Sequence, residues 1–216
     1  AEEAGEFAQI AGALTVNIGT LSPQMMEGAR AAIAGAHAAG RPWVLDPVAC
    51  QATAYRRGAS AELAGLRPAI IRGNASEILS LAGEESRGQG VDGRDAVETA
   101  EDGARRLAEK TGAVVAVTGA IDYVTDGVRE ARIGGGSSFM PMNTAMGCSL
   151  TGLCGAYAAV ADDPFDAAVG ALAHFAVAGS RAHPRAEGPG SFAPLFLDAL
   201  AAIGSADLAR EAEVTA

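Results

Sequence analysis

Short runs of β-forming residues alternate with helical segments along most of this chain, and this alternation limits the fold more than any other feature. The β-rich runs lie at 13–18, 42–45, 69–71 and 113–117. Ser22 and Pro23 supply an N-cap and a first-turn proline for the helix after the first run. Strands separated by helices predict an α/β fold, a mostly parallel sheet with helices on both faces.

The rest of the chain completes this pattern. Residues 92–110 predict an amphipathic helix, and residues 122–133 predict a hairpin. The polar tail after Ala206 is expected to be loose. No internal repeat or linker divides the 216 residues, so residues 1–216 are predicted to form a single domain. Three further helices are predicted at about 148–161, 165–182 and 192–203.

The composition excludes several classes of function. A formal net charge of -10 argues against a nucleic-acid surface, which needs a basic face. The longest apolar runs fall short of a membrane span, and no signal-peptide pattern precedes them. Cys50, Cys148 and Cys154 are odd in number and lack zinc-site spacing, which favours a reducing compartment. We therefore expect a cytoplasmic protein with no nucleic-acid or membrane partner.

Polar residues follow the ends of all four predicted strands. They are Gly19, Asp46, the pair Arg72 and Glu77, and Thr118. In an open α/β sheet, ligands bind outside the carboxyl ends of the strands. Two carboxylates, an arginine and a hydroxyl at one edge suit a nucleoside triphosphate with Mg²⁺. Purely structural roles remain possible for both carboxylates. Asp46 could cap a helix, and the charge of Glu77 could stabilise the start of one.

A turn of small residues at 143–150 opens directly into an apolar helix. Unpaired N–H groups at a helix start bind anions, and the helix dipole there favours a thiolate on Cys148. Taken alone, the same sequence pattern is also found at the start of many buried helices that bind no anion. Residues 134–138 resemble a phosphate loop, yet no Lys-Ser/Thr follows, so we interpret them as a flexible connection. The predicted anion hole consists of Ala145, Met146, Gly147 and Cys148.

Together these motifs resemble those of the hydroxyethylthiazole kinases, a family of the ribokinase-like superfamily. The resemblance runs from about Ala13 to Ile203. It implies a three-layer α/β/α kinase domain that uses ATP and Mg²⁺ to phosphorylate the hydroxyl of 4-methyl-5-(2-hydroxyethyl)thiazole in thiamine biosynthesis or salvage. It also implies a homotrimer with sites between subunits. The motifs are Asn17–Leu21, Trp43–Val48, Ile71–Ile78, Val117–Gly119, Asp122–Gly127 and the Gly147-Cys148 helix start.

The resemblance implies a role for individual residues as well. Cys148 occupies the position where many kinases of the superfamily carry an aspartate base. We expect it to orient the substrate hydroxyl more than to accept its proton, since a loose phosphoryl-transfer transition state needs little early deprotonation. The other implied roles are ATP contact for Arg72 and Thr118, magnesium binding for Asp46 and Glu77, and thiazole contact for Gly19 and Ala145.

Two departures from the family pattern stand out. The family usually has Thr-Gly-Thr-Gly-Cys where this chain has residues 144–148 with Ala145 and Met146. If the family glycine needs a positive φ, Ala145 is strained by about 1 kcal/mol. An upstream segment of the family, which forms a wall of the substrate pocket, has no match in the printed sequence. We expect that segment to be disordered, cleaved or absent from the sequence as printed.

Two other functions remain as alternatives. One is a nucleotide-dependent dehydratase of hydrated nicotinamide cofactors on the same fold, a family that normally has Gly-Asp at the helix start. Cys148 argues against it. The other is a non-catalytic binder of nucleotide or thiazole, which only Ala145, Met146 and the unmatched upstream segment support.

Overall fold

The computed structural model describes residues 2–83 and 93–216. Its described strands are β1 Leu14–Asn17, β2 Trp43–Asp46, β3 Ile70–Asn74, β4 Val114–Thr118, β5 Asp122–Thr125, β6 Glu130–Gly134 and β7 Glu213–Thr215. Its described helices are α1 Ala4–Ile10, α2 Pro23–Ala38, α3 Ala54–Ala64, α4 Ala75–Ala82, α5 Gly93–Thr111, α6 Met146–Ala158, α7 Pro164–Ala182, α8 Pro189–Ala202 and α9 Ser205–Glu211.

The described strands form one sheet in which spatial order follows chain order, from β1 to β7. β1 to β4 run parallel, because a helical crossover joins each to the next. β5, β6 and β7 continue the sheet with antiparallel pairings. The predicted α/β class is confirmed. The antiparallel part of the sheet contains one strand more than the predicted hairpin, because β7 pairs with β6.

Helices cover both faces of the sheet, so its central strands are buried on both sides. On one face, Ile33 and Leu107 of the α2–α5 layer pack with Leu45 of β2. On the other, Leu172 and Phe175 of α7 belong to the cluster of the opposite strand faces. Central strands buried on both faces are apolar throughout rather than alternating, which is why the β-rich runs were recognisable in the sequence.

The expectation of a loose tail is wrong. α9 lies against α7, where Arg181 pairs with Asp207 and Glu211 at 2.8 Å each. The chain then adds β7 to the free edge of β6. The prediction took the polarity of this segment as a sign of disorder. The charged residues of α9 instead pair with Arg181. An edge strand such as β7 is held by backbone hydrogen bonds more than by apolar side chains.

Two short helices, α1 and α3, also escaped the sequence analysis. The helix predicted at 92–110 corresponds to α5, and Asp92 lies outside the residues that the structure describes. The boundaries of the other predicted helices differ from the observed ones by a few residues, as frayed helix ends commonly do.

Across residues 2–83 and 93–216, no single helix has both the length and the apolar character to cross a membrane. α8 and α9 meet those criteria only when taken as a pair, and the chain bends by 112° between them.

Candidate active site

The carboxyl ends of β1 to β4 bring the predicted polar residues to one edge of the sheet. Parallel pairing sets Asn17 beside Asp46 at the ends of β1 and β2. It likewise sets Asn74 beside Thr118 at the ends of β3 and β4. The start of α6 lies at the same edge, where Cys148 of its first turn contacts β1 and Thr151 of its second turn contacts β2.

Asp46 lies at the centre of this edge and is fully buried. Its Oδ2 accepts hydrogen bonds from Asn17 Nδ2 at 2.7 Å and from Thr151 Oγ1 at 2.9 Å. Its Oδ1 has no hydrogen-bond partner among the described residues, and Arg72 Nη1 lies 3.9 Å away. A buried carboxylate oxygen without a partner is costly, so Oδ1 marks a position suited to a ligand or ion.

Asn17 connects three parts of the site, and the sequence analysis assigned it no role of its own. Its Oδ1 accepts from the Gly19 N–H at 2.8 Å, which shapes the turn after β1. Its Nδ2 donates to Asp46 and also to Cys148 Sγ at 3.1 Å. The sequence contained a signal for this role, because Asn17 is the last residue of β1 just as Asp46 is the last residue of β2.

Arg72 projects from β3 and is largely buried, with 12% of its side chain exposed. Its Nη2 donates to Thr118 Oγ1 at 2.7 Å, while its Nε has no partner among the described residues. The guanidinium lies directly against Gly147, where an added Cβ would be 2.6 Å from Nη1. Glycine therefore lets this cation approach the start of α6.

Glu77 is buried, and both of its carboxylate oxygens accept backbone hydrogen bonds. Oε1 accepts from the Ala49 N–H and Oε2 from the Asn74 N–H, each at 2.9 Å. The second bond completes a capping box with Asn74 at the start of α4. Glu77 thus ties the loop after β2 to the start of α4, and each oxygen keeps a further lone pair.

The start of α6 has the geometry of an anion site. No side chain of the described residues caps it, so the N–H groups of its first turn have no partner within the helix. Cys148 lies in this first turn with its sulfur exposed. The helix dipole adds partial positive charge at the same point.

Ala145 precedes this turn in the left-handed conformation, with φ 66° and ψ 12°. Because a Cβ is disfavoured there, we expect Ala145→Gly to raise the free energy of unfolding by about 0.5–1 kcal/mol. Ala156→Gly, an exposed position within α6, is the matched control and should lower it by about 1 kcal/mol. Chemical denaturation measures both, and equal losses in the two variants would contradict this strain.

A cavity of about 760 Å³ opens beside the site. Arg72, Thr118 and Gly147, which lie against one another, form its polar end. The rest of the lining combines apolar side chains such as Phe175 with polar ones such as Asp122. The loop at 135–138 also lines the cavity. The sequence analysis interpreted this loop as a flexible connection and did not predict its place at the cavity. The lining does not include Gly19, Asp46, Glu77, Ala145 or Cys148.

Asp122 lines the same cavity. From the sequence it was placed in the hairpin and in a family motif, with no role in a site. Its Oδ1 accepts from the Gly119 N–H at 2.9 Å. Burial raises the pKa of this carboxyl to about 6, against the opposing effects of the Gly119 N–H and the Arg72 charge. The cavity therefore contains one carboxyl that titrates close to neutral pH.

Comparison with known proteins gives a consistent result. The model of the hydroxyethylthiazole kinase family matches residues 1–206. The chain is 65% identical to a hydroxyethylthiazole kinase of Rhizobium etli (strain CIAT 652), over 99% of the chain and 83% of that relative. It is 59% identical to one from Cereibacter sphaeroides (strain ATCC 17029 / ATH 2.4.9), over 100% of the chain and 82% of that relative.

Solved structures agree. A hydroxyethylthiazole kinase protein from Pyrococcus horikoshii OT3 superposes with a TM-score of 0.90 at 34% identity, over 99% of this chain and 80% of that one. A Staphylococcus aureus pyridoxal kinase in complex with AMP-PCP and pyridoxal has a TM-score of 0.59 at 18% identity, over 83% of this chain and 66% of that one. The second likeness concerns the fold alone.

Proposed function

This chain belongs to the hydroxyethylthiazole kinase family, and we propose that it transfers the γ-phosphoryl group of ATP to the hydroxyl of 4-methyl-5-(2-hydroxyethyl)thiazole. The observation that carries the reaction is the position of Arg72. Its guanidinium lies between Thr118, Asp46 and the start of α6, at the polar end of the large cavity. Phosphoryl transfer depends mainly on positioning and on neutralising charge, and this arrangement supplies both.

The cavity suits a nucleotide in size and chemistry. Its apolar part, with Phe175 and Ile133, accommodates a base, and its polar end accommodates phosphates. Arg72 and Thr118 contact the phosphates in this proposal. The N–H groups of 145–148 receive the transferred phosphoryl oxygens, as helix starts commonly do.

Asp46 and Glu77 are the proposed magnesium residues. The unpartnered Oδ1 of Asp46 and the remaining lone pairs of Glu77 are hard oxygen donors, which Mg²⁺ prefers. The described residues contain no group of three or more His, Cys, Asp or Glu that could hold a metal, so water and phosphate would complete the coordination. Bound Mg²⁺ supplies charge neutralisation at the phosphates.

The substrate alcohol is proposed to lie between Gly19 and Cys148. Asn17 holds both, through the Gly19 N–H and the Cys148 sulfur. Ala145 is the other proposed thiazole contact. Cys148 orients the hydroxyl, while the start of α6 carries more of the transition-state charge.

Replacement of Cys148 tests that division of roles. We expect Cys148→Ala to lower kcat by about tenfold, less than the ~10²–10⁴-fold that a general base contributes. Cys148→Ser is the matched variant, because its hydroxyl can still accept from Asn17, and it should retain more activity. Steady-state ADP release measures both, and a loss in Cys148→Ala as large as that in an anion-hole variant would assign Cys148 the larger role.

The Asp122 carboxyl predicts a pH dependence of nucleotide binding. Below about pH 6 it is protonated and neutral, so a negative charge is removed from the cavity. Affinity for Mg-ADP should therefore rise by about 3- to 10-fold as the pH falls through this range. Calorimetry across the range measures it, with Asp122→Asn as control, which should bind tightly throughout. An Asn variant that keeps the wild-type dependence would assign it to another group.

The test of the function is ADP release from Mg-ATP, with and without hydroxyethylthiazole. Thiazole-dependent release is the expected result. Release that depends instead on a hydrated nicotinamide cofactor would indicate the dehydratase, which the family match does not favour. Nucleotide binding without release would indicate a non-catalytic relative.

We also propose a cytoplasmic homotrimer that acts in thiamine biosynthesis or salvage. Cys148 and Ala145 are exposed outside the large cavity, so the substrate side of the site is open in a single chain. A neighbouring subunit would cover it. The three unpaired cysteines agree with a reducing compartment. Light scattering coupled to size-exclusion chromatography gives the assembly, and a monomer with full activity would contradict the trimer.

A further inference from the structure

A second cavity, of about 240 Å³, lies at the opposite edge of the sheet from the site described above. It is formed where β2, β3 and β4 begin, by Trp43, Ala69 and the turn at Thr111. β2 has Trp43 at one end and Asp46 at the other, about 10 Å apart along the strand. The cavity is therefore separate from the catalytic edge.

The polar lining of this cavity is basic. Arg41, Arg67 and His37 line it, and none of its lining residues is acidic. Neither arginine side chain has an ion pair or hydrogen bond with the part of the chain that the structure describes; most other described arginines do, including Arg30, Arg129 and Arg181. In a chain with a net charge of -10, two arginines without acidic partners at one cavity are unusual.

Trp43 gives independent evidence for a ligand. The residue lines the cavity and is only 1% exposed. Its indole Nε1–H is buried and has no acceptor among the described residues. Buried indole N–H groups usually donate a hydrogen bond. Because the described residues offer this one no acceptor, we expect a ligand to supply it.

The local backbone does not explain the basic lining. α2 and α5 end at this cavity, and carbonyls at helix ends often attract arginine. Here the Arg41 N–H already donates to the Ala36 carbonyl at 2.8 Å. The Gly112 N–H donates to the Ala108 carbonyl at 2.8 Å, and Thr111 Oγ1 to the Leu107 carbonyl at 2.7 Å. The donors of Arg41, Arg67 and Trp43 are therefore left for a ligand.

We propose that this cavity binds a small oxyanion, a phosphate group. Arginine recognises phosphate through paired N–H donors, and a neutral indole N–H adds a third direction of hydrogen bonding. A neighbouring cavity of about 370 Å³ shares Arg67 and Thr111 and adds Lys110 and Leu107. The phosphate occupies the arginine side, and a small organic group attached to it extends toward Leu107.

Trp43 provides the readout, because it is the single tryptophan of the chain. The full protein is titrated with inorganic phosphate at constant ionic strength, and tryptophan fluorescence is recorded. We expect a saturable change, with affinity weakened by at least about tenfold in the variant that combines Arg41→Ala and Arg67→Ala. Both side chains are exposed, so the variant should keep its fold, which circular dichroism checks.

Two control variants locate the response. Arg185→Ala removes an exposed arginine elsewhere and Arg72→Ala removes the arginine of the catalytic cavity; both should keep the wild-type tryptophan response to phosphate, because neither residue lines the second cavity. Glycerol 2-phosphate is the second probe, and binding tighter than that of inorganic phosphate is expected if the organic group enters the neighbouring cavity.

Three results would overturn the proposal: no saturable response to either probe, an unchanged response in the Arg41→Ala and Arg67→Ala variant, or a response abolished by Arg72→Ala. Phosphorus NMR line broadening gives a second measurement that does not depend on the indole; it is recorded in the Arg72→Ala background, so that phosphate in the catalytic cavity does not contribute. It also extends the test to Trp43→Phe, which keeps an aromatic ring, loses the N–H donor and should bind phosphate more weakly.

Discussion

Gly147→Ala is expected to lower kcat/KM for thiazole phosphorylation by about 10²–10³-fold while leaving the fold nearly as stable as the wild type. An added Cβ would lie 2.6 Å from Arg72 Nη1 and 3.0 Å from Nη2. The guanidinium is the far end of a flexible side chain, so it can move aside at small energetic cost. In moving, it leaves Thr118 and the start of α6, where the phosphates are proposed to bind.

Gly152→Ala is the matched control for this substitution. It lies in the same helix, and nothing lies within 4 Å of its added Cβ. It should keep full activity and stabilise α6 by about 1 kcal/mol, since alanine is the better helix former. Steady-state kinetics and thermal unfolding of both variants separate the effect on Arg72 from a general effect on the helix. Activity of Gly147→Ala within threefold of the wild type would show that the placement of Arg72 is not critical.

Arg72→Ala is expected to lower kcat/KM by about 10³-fold, with the loss divided between nucleotide affinity and turnover. The substitution removes a positive charge from the polar end of the cavity and a hydrogen bond to Thr118. Arg72→Lys keeps the charge and loses the planar, paired donors, so we expect it to recover nucleotide binding better than turnover.

The measurements are KM for ATP, kcat, and the affinity for ADP by calorimetry. Arg185→Ala, an exposed arginine that does not line the cavity, controls for the change in net charge. If Arg72→Ala retained ATP affinity and turnover within tenfold of the wild type, the phosphates would have to bind at a different part of the cavity. Together with the Gly147 series, this comparison separates loss of the cation from its displacement.

The sequence predicted the parallel strands and their end residues well because both depend on local patterns. Apolar runs revealed β2 and β3, and turn residues marked where they end. The same local argument failed for α9 and β7. Arg181 of α7 pairs with the acidic residues of α9, and the backbone of β7 pairs with β6. Pairing of that kind leaves no periodic signal in the segment itself.

The proposed roles of the site residues depend on contacts that the sequence did not predict. Glu77 was expected either to bind metal or to begin a helix, and the structure shows the capping box with a second bond to Ala49. Asn17 contacts Cys148 across 131 positions. Asp122 lines the large cavity as well as forming part of the hairpin. Of these contacts, only the capping box follows from the spacing of Asn74 and Glu77.

The sequence by itself determined the α/β class, the family and the edge of the sheet where the polar residues collect. These features arise from hydrophobic periodicity, turn chemistry and motifs of adjacent residues, all of which are local. Only the tertiary structure decided that Arg72 packs on Gly147, that Trp43 lines a basic cavity, and that Asp46 Oδ1 and Trp43 Nε1 have no hydrogen-bond partner among the residues the structure describes. Those features depend on which side chains meet when strands and helices pack, and packing joins residues that lie far apart in the chain.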